Sequence, residues 1–357
     1  MSMTDAPACG FDKVYVTVNK VRVNQSSTAT DTDSGWTDIT LASPQKIDLL
    51  SLQNGIMTSL GQATLTAGHY SQIRLVLGSN TSGSIANSVV VTGSSTETPI
   101  DTPSAIQSGI KLTNEFDVAA GSTTDLVLDF DACKSIVSKG NSGGYLLKPV
   151  ITVTPKAVSG SITGYVTPGL TKAVVTAQQN GVVVKSTTPD STGAFTLSPV
   201  PTSTTPYVVV VTSDAHATAA ITGVTVSTGT TATVSTSTSP INPPTSAMGT
   251  ISGTVQPTTA LANVRATQSL GASGSGTIEV GSQAADATTG AYSLSLPVGS
   301  ISLGAYTTTL PITFSTTTTL ITAGKYTAEA SATGYTTQTA DIDISGTNAT
   351  KNFTLTP

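Results

Sequence analysis

The run GNSGG at 140–144 fits the G-x-S-x-G pattern and sets Ser142 among glycines, as a nucleophile loop would. A nucleophilic serine needs a histidine base within hydrogen-bond reach and an acid behind it. The chain has two histidines, His69 and His216, and only His69 falls in the same half of the sequence. His69 lies in the strand-like context GHYSQIRL, and YLLKPVITV after Ser142 reads as a strand where a nucleophile elbow would enter a helix. Ser142 therefore reads as part of a glycine-rich hairpin turn. Asp129 and Asp131 stand two apart, as do Asp341 and Asp343, so each pair shares one strand face. Glycoside hydrolysis needs two carboxyl groups that face the sugar from opposite sides, so these pairs read as solvated neighbours.

Two further sets have the right residue types for chemistry. The run DTDSG at 31–35 begins like a calcium loop, and Asp31, Asp33 and Asp38 are the calcium candidates. Calcium takes about six to eight oxygen ligands, and the spacing does not supply them, so a polar hairpin tip is the better reading. Lys325, Glu329, Asn348 and Asn352 carry the groups of a Lys–Asn isopeptide crosslink, which needs them buried together. Trp36, Tyr70, Tyr145 and Tyr292 are the aromatics that could line a glycan groove, with Trp36 and Tyr70 the leading ligand contacts. No complete catalytic set emerges, and the expectation is a non-enzyme without a cofactor.

The elements that must position these residues are strands. Val and Thr alternate in VYVTV, and apolar β-branched runs recur in VVVTG and YVVVVT. Branched side chains of this kind suit a pleated, half-buried surface. Residues 45–60, QKIDLLSLQNGIMTSL, fit either a short helix or two strands about the turn Asn54-Gly55. The fold class is all-β. Only 10% of the 357 residues are charged, against about 25% in an average domain, and aromatics are 4%. A net charge of −5 leaves no basic footprint for nucleic acid, and no apolar run is long enough to span a membrane as a helix. The early onset of a strand pattern fits removal of a targeting segment.

Charge also marks a boundary. Residues 1–156 hold 10 basic and 13 acidic side chains, whereas residues 157–357 hold 5 and 7. The charge-poor part contains a repeat: SGSITGYVTPGLTKAVVTA at 159–177 matches MGTISGTVQPTTALANVRAT at 248–267. Each copy is followed by an Asp, a Gly and an aromatic, in DSTGAF at 190–195 and DATTGAY at 286–292. The expected organisation is three β-sandwich-like domains in tandem: residues 1–156, a first repeat at 157–240, a Pro-rich linker at 241–247, and a second repeat at 248–357 with an insertion near 297–323.

Both repeats resemble the carboxypeptidase regulatory-like (transthyretin-like) β-sandwich. Its pattern runs from a G-x-I-x-G-x-V strand through an Asp-x-x-Gly-aromatic hairpin to an aromatic-containing strand and a GY turn, here GKYTAEASATGYTTQTADIDIS at 324–345. Such modules serve as spacers and binding platforms. Residues 3–156 resemble a bacterial domain family of unknown function, numbered 4382, through MTDAPACGFDKVYVTVNKVRV, AGHYSQIRLVLG, IKLTNEFDVAAG and LVLDFDACKSI. That resemblance implies a secreted or lipid-anchored surface location and carries no activity. With the charge-poor composition, it favours an oxidising compartment in which Cys9 and Cys133 form a disulfide across the first domain.

Two roles follow. One is an extracellular structural or adhesive protein that associates with copies of itself through strand edges. The chain ends, MSMT and NFTLTP, would be the donated strands, because lysine guards few edges beyond residue 156. The other is a surface module for glycan or matrix polymer, carried on a β-sandwich stalk.

Overall fold

A computed structural model describes residues 1–7, 10–103, 109–112, 114–140, 143–271, 276–315 and 323–357. The chain is all-β, with a few single-turn helical segments. It divides into two compact units: Met1–Ile136 with Asn141–Val158, and Val137–Gly140 with Ser159–Pro357.

Unit 1 is built about the 14-residue strand Phe11–Asn24, which pairs with Thr37–Asp48 along one edge and with Gln72–Leu77 and Ser88–Val91 along the other. Val14, Val16 and Val18 alternate into the core, a bulge at Asn19 shifts the phase by one, and Val21 and Val23 then continue inward. The sequence spacing VYVTVNKVRV thus encodes the bulge as well as the strand. A second sheet runs in the order Ile151–Pro155, Leu126–Asp131, Ser2–Ala6, Thr58–Ser59. A two-stranded ribbon pairs Gly68–Tyr70 with Phe116–Val118. Of residues 45–60, the first part completes strand Thr37–Asp48, a 3-10 turn covers Leu49–Leu52, and Asn54 and Gly55 form the turn with φ of 57° and 76°. Positive φ at both central residues is what an Asn-Gly turn provides.

The two repeats, separated in the sequence reading by a linker, lie together in unit 2. The first repeat stacks a three-stranded sheet on a longer one, and the second stacks two four-stranded sheets. Their motifs take the same geometry. Asp190 and Asp286 cap equivalent hairpins, accepting from Thr192 N and Ala194 N in one, and from Thr288 N and Thr289 N in the other. Phe195 and Tyr292 fill the cores behind them, at 2% and 3% exposure. Tyr207 and Tyr326 then close the sandwiches by donating to Pro201 O at 2.6 Å and Pro297 O at 2.5 Å. At Gly193 and Gly290 the backbone has φ of +83° and +73°, and a Cβ there would lie 2.1 Å from Val166 O and 2.3 Å from Val255 O.

Three features fuse the repeats. Strand Ser302–Ala305, inside the expected insertion, pairs in parallel with Ala219–Val224 and so extends the first repeat's sheet. The strand Tyr207–Thr212 is apolar on both faces: Tyr207, Val209 and Val211 point into the first core, while Val210 is buried in the second. That explains an apolar run without alternation. The Pro-rich stretch is also tied down rather than free, with Ile241 N donating to Tyr165 O and Ala217 N to Pro244 O, both at 2.8 Å.

Both chain ends expected as donor strands are already used within the chain. Ser2–Ala6 pairs on both sides, with Met3, Thr4 and Asp5 at most 1% exposed. Phe353–Thr354 pairs with Met248–Gln256, and Phe353 and Leu355 are buried. Withdrawing either strand would open a core.

Gly290→Ala should destabilise unit 2 by at least about 2 kcal/mol, since a Cβ meets backbone in a left-handed conformation. Thermal unfolding followed by circular dichroism checks this; an unchanged melting temperature would contradict the shared hairpin geometry.

Candidate functional site

The residues expected to do chemistry are mostly held in structural contacts. Asp31 pairs with the Arg74 guanidinium, and Asp33 caps its own loop by accepting from Thr30 N at 2.8 Å. Asp38 accepts from Lys20 Nζ at 2.6 Å and Arg22 Nε at 2.8 Å. Burial works against its ionisation, but these two cations prevail and hold the carboxyl below its usual value. Among the described residues no group of three or more acidic, His or Cys side chains is placed to hold a metal. The calcium candidates are thus drawn to separate cations and a loop cap, not to a common point.

Trp36 belongs to the same cluster. Its indole N–H donates to Thr30 O at 2.9 Å, and the guanidinium carbons of Arg22 and Arg74 lie 4.8 and 4.6 Å from its ring centre. Tyr70 is 3% exposed and stacks on Phe116 at 5.0 Å, so it is a core residue and not the ligand contact expected. Tyr145 packs edge-on against Phe11, and Tyr292 is buried with its hydroxyl on Lys351 O. The isopeptide set does not converge either. Lys325 is exposed beside Asp343, Glu329 binds Arg265 at 2.9 Å, and Asn348 and Asn352 accept from Thr250 N and Thr254 N. Asp131 caps the short helix Ala132–Ser135, while Asp341 and Asp343 accept from Thr327 and Ser345. Ser142 and Cys9 lie outside the described residues; Cys133 falls in that short helix, and no free cysteine occurs among the described residues.

The sequence reading missed two features of unit 1. The first is a charged clasp on the ribbon. His69 Nδ1 lies 2.8 Å from Asp117 Oδ1 and its Nε2 lies 3.1 Å from Glu115 Oε2. A neutral imidazole donates from one nitrogen only, so two carboxylates favour the imidazolium. The hydrogen bond with Asp117, then that with Glu115, raises the His69 pKa above its ordinary value of 6.5. His69 lies 48 residues from Asp117 and 46 from Glu115 in the sequence, so only the pairing of strands 68–70 and 116–118 could have revealed the clasp.

The second is a cleft of about 900 Å³ on the other side of that ribbon. One wall is Gly61–Leu65 with Ala67, the other is Val118–Asp125, and Ile39 and Phe116 are among the residues of its lining. Residues 60–66 run without turn or bend. Asp125 is the one acidic side chain of the lining, which contains no Lys, Arg or His. The Met1 ammonium also lines the cleft, donating to Gly61 O at 3.0 Å and lying 3.8 Å from Asp125, so the trough's two charges face each other.

Comparison with known proteins bears on unit 1 only. Residues 1–149 match the family model described as "Domain of unknown function (DUF4382)". No curated protein matches the chain. Among the described residues no helix is long and apolar enough to cross a membrane.

Two outcomes test this picture. The His69 clasp should contribute fully to ribbon stability below pH 6.5, and be lost as pH rises through the raised folded-state value. In NMR titration the His69 midpoint should lie above 6.5, and His69→Gln should remove the corresponding pH-dependent change in amide exchange at Gly68–Tyr70. A midpoint at or below 6.5 would contradict the clasp. Trp36→Ala should cost unit 1 about 1–2 kcal/mol through its two cation–π contacts, measured by urea unfolding; unchanged stability would contradict the cluster.

Proposed function

We propose that the chain is a non-enzymatic, extracellular surface protein of adhesive type, in which unit 1 takes a polymeric ligand in its cleft and the fused double sandwich of unit 2 acts as a stiff spacer. The observation that carries this reading is the cleft: an open trough whose charges, the Met1 ammonium and Asp125, face each other suits a chain-like ligand better than a small ionic substrate. The shared sheet and hydrogen-bonded linker of unit 2 support the spacer role, since they remove the hinge that separate repeats would have. Occupied terminal strands count against fibre growth by strand donation.

The extracellular setting rests on the Thr- and Ser-rich, charge-poor composition and on a Cys9–Cys133 disulfide, which we include in the proposal. A bond closing that much chain would stabilise unit 1 by up to about 4–5 kcal/mol. Intact mass of the protein isolated without reductant should be two hydrogens below the reduced mass, and reduction should lower the melting temperature of unit 1 alone. Native protein should sediment as discrete particles and stay dispersed in negative-stain electron micrographs; regular fibres would overturn the spacer reading.

A further inference from the structure

We propose that the Asp190 hairpin of the first repeat is a docking site for a Ser-x-Gly loop of a partner polypeptide, held as the second repeat holds residues 138–140. The site lies in unit 2 and is independent of the cleft.

The second repeat supplies the template. Val137–Gly140 belongs to unit 2, and its Ser138 and Gly140 lie against the tip of the Asp286 hairpin. Asp286 divides its two carboxylate oxygens between two tasks. Oδ1 caps the hairpin, accepting from Thr288 N, Thr289 N and Thr289 Oγ1 at 2.9, 2.8 and 3.0 Å. Oδ2 accepts from Ser138 Oγ and Gly140 N, both at 2.6 Å. A backbone bond completes the hold, with Ala287 N donating to Ser138 O at 2.9 Å. Burial works against ionisation of Asp286, but the hydrogen bonds from Ser138, Thr289, Gly140 and Thr288 prevail and hold its carboxyl far below the ordinary value. The glycine matters too: Gly140 has φ of +65°, and a Cβ there would lie 3.3 Å from Thr288 Cβ.

The first repeat has the same receptor without the occupant. Asp190 Oδ1 caps its hairpin alike, accepting from Thr192 N, Thr192 Oγ1 and Ala194 N at 2.8, 2.7 and 3.0 Å. Asp190 Oδ2 and Ser191 N are the counterparts of the groups that hold Ser138 and Gly140. Neither makes a hydrogen bond within the described residues. The adjoining loops agree as well, with φ of 50° at Lys172 and 48° at Leu261. Asp286 is 9% exposed beneath its segment, whereas Asp190 is exposed. A cavity of about 220 Å³ beside Asp190, with Val166, Leu170, Lys172 and Thr188 in its lining, leaves room for an incoming loop.

These groups read one pattern: a hydroxyl donor, the carbonyl of the same residue, and an N–H two residues on. Serine followed by x-Gly supplies all three, and hydrogen bonds to a carboxylate are the strong kind. In a second copy of this chain the matching segment is already held by its own Asp286, so the occupant comes from another polypeptide.

The test is an amide NMR titration of the full chain with N-acetylated, C-amidated Val-Ser-Lys-Gly, the sequence of residues 137–140. At millimolar peptide the Ser191, Thr192 and Ala194 amides should shift and saturate. The peptides Val-Ala-Lys-Gly and Val-Ser-Lys-Ala should bind at least tenfold more weakly. Asp190→Asn keeps an oxygen to cap the hairpin but replaces the second acceptor with a donor, and should weaken binding as much. If that variant perturbs folding, the two altered peptides decide the matter. No shift at residues 190–194, or equal binding of the three peptides, would overturn the site. Self-association of the chain in sedimentation that Asp190→Asn abolishes would assign the site to a second copy and overturn the partner.

Discussion

Every strand edge leaves a row of peptide N–H and C=O groups that must be covered, and this chain has few charges with which to guard them. A lysine-studded edge is the common solution in β proteins, yet residues 157–357 hold 5 basic side chains. The molecule instead uses side-chain amides and hydroxyls as substitute strand neighbours. Asn114 donates to Val153 O and accepts from Val153 N. Gln178 does the same for Glu279, at 2.8 and 2.7 Å. Ser235 Oγ accepts from Tyr165 N and donates to Tyr165 O. Each replaces one rung of a ladder without moving a charge out of water.

The same constraint shapes unit 2. Gln178 belongs to the first repeat and Glu279 to the second, so the pair that covers an edge also joins the two sandwiches. Gly181 O accepts from Arg265 Nη1 at 2.8 Å and adds a second such tie. The parallel pairing of Ser302–Ala305 with Ala219–Val224 covers another edge and turns an apparent insertion into a shared strand. Among the described residues, the N–H groups of the wall Gln62–Thr66 in unit 1 are left without such a partner, and this segment lines the cleft.

Much of the fold was legible in the residues. Alternating valines marked Phe11–Asn24, Asn54-Gly55 marked its turn, and the recurring Asp, Gly and aromatic marked two hairpins of one geometry. The fusion of the repeats was half-visible in YVVVVT, whose lack of alternation signals two buried faces, but the partner of its outer face depends on tertiary packing. The site was much less legible. Trp36 and Tyr70 are the kinds of residue that bind ligands, yet local cations and a neighbouring ring absorb them. The cleft is made of backbone, of small side chains and of register, none of which leaves a motif in GQATLTAG.

The claim that edges are covered by side-chain substitutes everywhere these examples occur, and left open at the cleft, is tested most directly by residue-resolved hydrogen exchange on the ligand-free full chain. The account predicts slow exchange at Val153, Tyr165, Thr250, Thr254 and Glu279, whose N–H groups donate to side chains, and fast exchange at Gln62–Thr66. Fast exchange at the first set, or protection across the second in the absence of ligand, would contradict it.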